Sequence, residues 1–278
     1  MRASITKLAF YKGSLRAKLS KEIAKRLKLF PYETRIEYSA IDRPHYGYCV
    51  LQAAKLAKKL GHKSVSVIEF GVAGGNGLLN LEMHAAEVGK LTGINIQIFG
   101  FDTGQGLPPP QGYRDLPYHW RQGFFAMDTD KLRARLTCSQ LVFGRIAESL
   151  PQFVRDYKPA PIGAILLDLD YYSSTRDAIK LFELHRSNLL PRAFLYLDDI
   201  IGDEIALFSE YTGQLLAINE FNASHESQKI CRTTYLTTNP YPETWHHQIY
   251  IYHDFESSDY CRFVSEEIQQ LPLGAVRS

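Results

Sequence analysis

Residues 65–77 read VSVIEFGVAGGNG, an apolar β-type run that carries one acid, Glu69, and breaks into four glycines at 71, 74, 75 and 77. A short continuous apolar run is the pattern of a parallel strand buried on both faces. Glycines at its end let backbone approach a ligand where a Cβ would collide. The following residues, Leu78 to Gly89, read as a helix, so the loop leads into a helix N-terminus whose amides can meet a polar ligand. Strand, glycine loop and helix in that order open a nucleotide-type α/β fold.

Working outward, strands are expected at 65–70, 95–101, 140–143, 162–169 and 193–198, with helices near 48–60, 78–89, 129–136, 146–156, 174–189 and 203–217. Such alternation predicts a Rossmann-like, doubly wound, mostly parallel sheet. Two further β-type runs, 230–237 and 245–252, flank Asn239-Pro240-Tyr241-Pro242 and predict an antiparallel pair at one edge, completing seven strands.

The chain has 278 residues, 45% of them hydrophobic, enough for one large domain and an extension. Its net charge of +2 is uneven: residues 1–35 hold ten Lys and Arg against two acids, leaving 22 basic and 28 acidic residues in the remainder. A mildly acidic body argues against nucleic acid as the main partner. Leu15, Leu19, Ile23 and Leu27 recur every four residues among Lys and Arg before Pro31, predicting a basic amphipathic helix within an extension of residues 1–44. It packs either on the body or a second subunit, or on an anionic membrane surface.

Four scattered cysteines without a CxxC pair, and no secretory leader, fit a reducing cytoplasm. No apolar run approaches the roughly 20 residues of a membrane span.

In an open α/β sheet the ligand sits at the carboxyl ends of the strands, where strand order reverses between the first and fourth. The residues there are Glu69, Asp102, the pair Asp168 and Asp170, and the pair Asp198 and Asp199. Asp102 ends the run IQIFGFD, where a carboxylate can accept the ribose hydroxyls of a nucleoside. Dinucleotide enzymes need GxGxxG to admit a pyrophosphate; this loop is GxxGGxG with an acid before it. Glu69 would repel a pyrophosphate but suits the ammonium of a methionine-type cofactor, so loop, Glu69 and Asp102 together select S-adenosylmethionine. Cofactor contacts are then expected at Gly71, Val72, Gly75, Asn76 and Gly77, at Asp102 and Thr103, at Gly144 and Ile146, and at Asp168.

A lone acid at a strand end is usually a helix cap, and Asp170 or Asp199 singly reads that way too. Two pairs facing one crevice repel each other unless a cation lies between them. Oxygen-only donors favour a hard ion such as Mg²⁺, which lowers the pKa of a bound hydroxyl and fixes its position.

The stretches FGFDTGQGLP (99–108), GRIAESLPQF (144–153), LLDLDYYSSTRDAI (166–179) and LYLDDI (195–200) resemble segments of the macrocin O-methyltransferase family, which includes the aminocoumarin sugar methyltransferases. That family shows FDSFEGLP, G-x-x-x-x-TLP, D-G-D-x-Y-x-S-T and a terminal DD-Y in the same order; DxDxYxST is the most specific match. The resemblance spans about residues 65–200. It implies a class I methyltransferase domain over 45–278, Mg²⁺ ligands at Asp168, Asp198 and Asp199, and a general base at Asp170 working with Asp168. It also implies cofactor contacts at Glu69, Gly71, Gly75 and Asp102, Ser174 and Thr175 as helix caps, a hydroxyl of a sugar-containing or other secondary metabolite as acceptor, and a homo-oligomer. Ala73-Gly74-Gly75-Asn76 stands where the family has Trp-Arg-Gly-Gly, and Asp168-Leu169-Asp170 where it has DGD, which bears on the acceptor. A nucleotide-dependent Rossmann oxidoreductase and a non-catalytic partner subunit of methyltransferase fold are the competing readings.

Gln105 to Met127, with Tyr113, Tyr118, Trp120, Phe124 and Phe125, reads as a long aromatic lid. His246 and His247, placed on a strand, should face opposite ways. His45 and His119 lie in or beside loops, with His119 the one able to reach the site.

Overall fold

The computed structural model describes residues 22, 23, 25, 30–238 and 242–265. The basic amphipathic stretch lies outside them except for Glu22, Ile23 and Lys25, and Ile23 is exposed. In chain order the elements are α1 (Tyr32–Glu37), α2 (Pro44–Lys59), β1 (Ser64–Phe70), α3 (Asn76–Thr92), β2 (Asn95–Asp102), α4 (Thr129–Arg135), β3 (Gln140–Phe143) and α5 (Ile146–Tyr157). There follow β4 (Ile162–Leu167), α6 (Tyr172–Ile179), α7 (Leu181–Leu184), β5 (Leu189–Leu197), α8 (Gly213–Ser224), β6 (Gln228–Arg232), α9 (Thr234–Thr237) and β7 (Ile249–Asp254).

Seven strands form one sheet in the order β3-β2-β1-β4-β5-β7-β6, parallel except for β7, which runs antiparallel to both neighbours. The order turns back between β1 and β4, and a crevice opens there at the strands' carboxyl ends.

Period-2 alternation divides the core in two. Val65 and Val67 of β1, with Ile98, Ala164 and Leu166, pack under α2 and α3. Ile68 and Phe70, with Phe99, Phe101, Ile165 and Leu167, pack against α5, α6 and α8 on the other face. Glu69 therefore points with Val65 and Val67 toward α2, which decides its surroundings below.

The structure departs from the sequence expectations in the second half. The helix expected over 203–217 lies at Gly213–Ser224; residues 203–212 form turns in which Asp203 Oδ1 accepts from the amides of Ile205 and Ala206 at 2.9 Å each. The strand 230–237 ends at Arg232 and passes into α9, and 245–252 starts only at Ile249, after a 3-10 turn at Thr244–His247. β5 begins four residues before its expected start, because a register irregularity between Ile162 and Ala164 absorbs Pro191. No helix among the described residues is long and apolar enough to cross a membrane.

Candidate active site

The glycine loop is tight because other chain already fills the space a side chain would need. A Cβ on Gly71, at φ +86°, would lie 1.7 Å from the carbonyl oxygen of Asp168, so the ends of β1 and β4 meet only through glycine. A Cβ on Gly77 would lie 1.8 Å from Glu69 Oε1. The carboxylate of Glu69 is thus tucked beneath the first turn of α3.

The hydroxyl of Tyr46, on α2, donates to Glu69 Oε1 at 2.7 Å, while Glu69 Oε2 is buried with no hydrogen-bond partner. An orphaned buried carboxylate oxygen is costly. Burial accordingly pushes the acid up to about 8, although Tyr46 and Arg43 pull the other way.

Asp102 organises the loop from the next strand. Its Oδ2 accepts from the amides of Val72 and Ala73 at 2.9 Å each, and Oδ1 from Gly104 at 2.6 Å. A carboxylate has about four acceptor sites, so Asp102 keeps about one for a ligand hydroxyl. Holding the loop is a role its sequence position did not reveal.

The aspartates of β4 and β5 converge. One carboxylate oxygen from each of Asp168, Asp198 and Asp199 lies within 4.8 Å of the other two. Burial, then the charges of Asp198 and Asp199, drive Asp168 well above the usual carboxylate range; burial, then Asp170 and Asp198, do the same to Asp199. Asp170 sits between them in a three-residue turn, at φ 61°, where the Tyr171 amide donates to the Leu169 carbonyl at 2.5 Å. A left-handed aspartate costs backbone energy, and such strain collects at functional sites. The turn aims the Asp170 amide at Asp199 Oδ2, 2.8 Å away, and burial beside Asp168 and Asp198 raises the Asp170 carboxyl to about 7.

Several supporting residues carried no sequence signal. Gln214, fully buried on α8, donates to Asp199 Oδ2 at 3.3 Å and to the Leu167 carbonyl at 3.1 Å. The Tyr196 hydroxyl donates to Asp198 Oδ1, and Gln248 Nε2 to the Asp198 carbonyl at 2.9 Å. Arg43, stacked 4.9 Å over the ring of Tyr46, feels the charges of Glu69, Asp168 and Asp198; burial lowers its pKa, and Tyr46 with those acids more than offsets this.

A cavity of about 340 Å³ spans the crevice. Gly71, Asp102, Thr103, Gly144, Ile146, Asp168, Asp170, Asp198 and Asp199 line it; Glu69, Val72, Gly75, Asn76 and Gly77, also expected at the cofactor, are not among its lining residues. Arg145, Ser174 and Asp177 line it as well. From the lid come Leu107, Pro108, Gln111, Trp120 and Phe125.

The lid is anchored by Asp115, fully buried, whose carboxylate accepts from the Gln111 amide at 2.6 Å and from the Ser173 amide and hydroxyl at 2.8 Å each. Asp115 thereby caps α6 from a distant segment, the task expected of Ser174 and Thr175. Thr175 instead bonds back to the Tyr171 carbonyl at 2.8 Å, and Ser174 faces the cavity.

The histidines take structural places. His246 and His247 lie on the 3-10 turn, so strand alternation does not apply to them; His246 Nδ1 accepts from the Glu243 amide at 3.1 Å. His45 is in the first turn of α2, stacked on Tyr196 at 4.2 Å, and burial drops it to about 3. His119 packs on Trp120 and Phe208 and is absent from the cavity lining.

No protein-family model and no curated protein sequence matches the chain. Among solved structures that resemble it, the calicheamicin methyltransferase CalS11 is 22% identical with a TM-score of 0.46, over 77% of this chain and 87% of that one. The O-methyltransferase TomG from Streptomyces achromogenes, involved in tomaymycin synthesis and solved with SAM, is 12% identical with a TM-score of 0.43, over 91% and 94%. The mycinamycin-pathway methyltransferase MycE, solved with Mg, SAH and mycinamycin VI, is 14% identical with a TM-score of 0.39, over 73% of this chain and 48% of that one. At these scores the likeness carries no functional weight; that weight falls on the side chains described above.

Proposed function

We propose that the chain is an S-adenosylmethionine-dependent O-methyltransferase, assisted by a divalent cation such as Mg²⁺, acting on a hydroxyl of a sugar-containing or other secondary metabolite. The observation that carries this reading is the meeting of Asp168, Asp198 and Asp199 beside Asp170 on the floor of a cavity that the glycine loop also borders. Three carboxylate oxygens within 4.8 Å of one another, two of the acids held far above their usual range, form a charge cluster that a hard cation would relieve. Among the described residues Arg43 is the cation whose charge reaches both Asp168 and Asp198.

A bound divalent ion supplies Lewis-acid stabilisation of the acceptor oxygen. The chain's own residues do the rest. Asp170, which lines the cavity beside the cluster, is placed to take the hydroxyl proton on its carboxylate. Asp198, fixed by Tyr196 and Gln248, and Asp199, fixed by Gln214, hold their oxygens in place. The free Oε2 of Glu69 suits the cofactor's ammonium, reached directly or through water, and Asp102 offers its remaining acceptor site to a ribose hydroxyl. Trp120 and Phe125 shield the reacting atoms from water.

The buried acid under Gly77 also favours a cationic ligand over a dinucleotide, since an ammonium nearby would let Glu69 ionise and a pyrophosphate at the start of α3 would oppose it. Calorimetry of the purified chain should show affinity for S-adenosylhomocysteine and none for NAD. The reverse pattern would overturn the proposal.

A further inference from the structure

A second cavity, of about 290 Å³, adjoins the first and shares Gln111 and Ser173 with it. Its other walls are Gly112, Tyr113, Arg114, Tyr172 and Arg176. Both arginines stack on the ring of Tyr172, at 5.1 Å for Arg114 and 5.7 Å for Arg176, and Arg114 also lies 5.8 Å from the ring of Tyr113. Stacking fixes a guanidinium plane and leaves its edge of N–H donors free.

Little in the protein uses those edges. Arg114 Nη1 donates to the Tyr172 hydroxyl at 3.2 Å and lies 3.6 Å from Glu220; Nε is 3.5 Å from the Tyr113 hydroxyl. Arg176 has one carboxylate within reach, Asp177 at 3.5 Å, and Lys180 already holds that oxygen at 2.9 Å. Arg114 and Arg176 are the charged residues in the lining itself; Glu220, Asp177 and the buried Asp115 lie beside it. The Tyr172 hydroxyl donates to Glu220 at 2.5 Å, which fixes the ring both arginines lie on.

The first cavity, at about 340 Å³, is near the lower limit for a single small-molecule ligand. A cofactor occupying it leaves the acceptor to extend elsewhere, and the two guanidiniums lie on the far side of Gln111 and Ser173, which both cavities share. Paired guanidinium forks match the oxygens of a phosphate ester in geometry as well as charge.

We propose that this second cavity is a phosphate subsite, and that the acceptor is a hydroxyl compound bearing a phosphate or diphosphate ester, as in a sugar phosphate or nucleotide-linked sugar. The acceptor role rests on the methyltransferase reading; the anion site itself does not.

The test is calorimetry on the full chain with inorganic pyrophosphate, in saturating S-adenosylhomocysteine and without divalent ions, which pyrophosphate would chelate. The wild type should bind one equivalent. Arg114→Ala and Arg176→Ala should each weaken binding about tenfold or more while leaving S-adenosylhomocysteine affinity unchanged, which also reports an intact fold. Arg176→Lys should recover only part, because a point charge lacks the fork. Wild-type affinity for pyrophosphate in both alanine variants, loss instead in Arg145→Ala, or equally tight binding of malonate would each overturn the proposal. Failure of the wild type to bind S-adenosylhomocysteine would count against the methyltransferase reading alone, since pyrophosphate binding can be measured without it.

Discussion

The carboxylates on the cavity floor hang from the ends of β4 and β5, with Glu69 of β1 buried beside them, in the middle of the sheet, whereas the wall is built from the loop 104–127, against which the loop 200–212 packs through Tyr118 and Ala206. The floor is fixed by parallel ladders on both sides of β1 and β4, yet its side chains are poorly satisfied: Glu69 has an orphaned oxygen, and Asp168 and Asp199 are forced upward by burial and by one another. The wall is the opposite. Its carboxylates are well satisfied, with Asp115 accepting three hydrogen bonds and Asp203 two, although Trp120 Nε1 is buried without a partner, and its backbone belongs to no sheet. A site in which the frame is rigid and the charges are uncompensated is prepared for ligands that compensate them. Changes to the floor should therefore alter chemistry without unfolding the chain, and changes to the wall should alter fit and stability.

The severest test of that contrast is Asp168→Asn. Removing one charge from the cluster should leave melting temperature unchanged or raised in the absence of metal, while methyl transfer from labelled S-adenosylmethionine falls about a thousandfold or more. Mg²⁺ should raise the melting temperature of the wild type and leave that of the variant unmoved. An active Asp168→Asn enzyme would refute the metal-assisted mechanism.

Glu69→Gln should cost about 10- to 100-fold in S-adenosylhomocysteine affinity, read by calorimetry. The same variant reports on the buried acid through pH. Because the folded-state pKa of Glu69 is raised to about 8, its stabilising effect is complete below the ordinary glutamate range and is lost as pH rises to about 8. Asp170, raised to about 7, acts in the same direction over the same window. The ligand-free wild type should therefore lose stability between about pH 5 and 8.5, and Glu69→Gln should lose roughly 1–3 kcal/mol less across it. Parallel melting curves for the two proteins would show that Glu69 is charged in the fold.

On the wall, Asp115→Asn replaces one acceptor oxygen by a donor facing the Ser173 amide or hydroxyl. Stability should fall by about 2 kcal/mol, because the Ser173 donors are buried. Acceptor turnover should drop about tenfold while S-adenosylhomocysteine affinity stays within about threefold. Loss of cofactor affinity as large as that of Glu69→Gln would mean that wall and floor are one unit.

The same division governs what the sequence discloses. Strand-end acids announce themselves, since an apolar run followed by aspartate is a local pattern; the strand expected at 140–143 has those bounds in the structure, and the aspartates of 168–170 and 198–199 meet across β4 and β5. Their support comes from far along the chain. Asp115 meets Ser173 across 58 residues and Tyr46 meets Glu69 across 23, so no window contains both partners. The helix expected over 203–217 fails for a related reason: Ile205, Ala206 and Phe208 mimic helical spacing, but Leu207 is left-handed at φ 49° and Asp203 closes a turn over Ile205 and Ala206. Apolar residues at Ile205 and Leu207 are exposed there, where periodicity would have placed them in a core.

Tyr118 carries a hydrogen bond between the two loops, beside the contact of the His119 ring with Phe208, and it isolates the smallest effect. Its hydroxyl donates to the Ala206 carbonyl at 3.0 Å while its ring is largely exposed, so little burial depends on it. Each loop is organised without it: Asp115 holds one and Asp203 the other. Tyr118→Phe therefore removes a link between two ordered segments and leaves both intact. An exposed hydrogen bond of this kind contributes at most about 1 kcal/mol, because water replaces it. Melting temperature should stay within about 2 °C. What changes is the freedom of the loops to part over a bound acceptor, so acceptor KM should rise about two- to fivefold with kcat and S-adenosylhomocysteine affinity preserved. A fall in kcat at constant KM would place Tyr118 among groups that act on the transition state, and would end the separation of a positioning wall from a chemical floor.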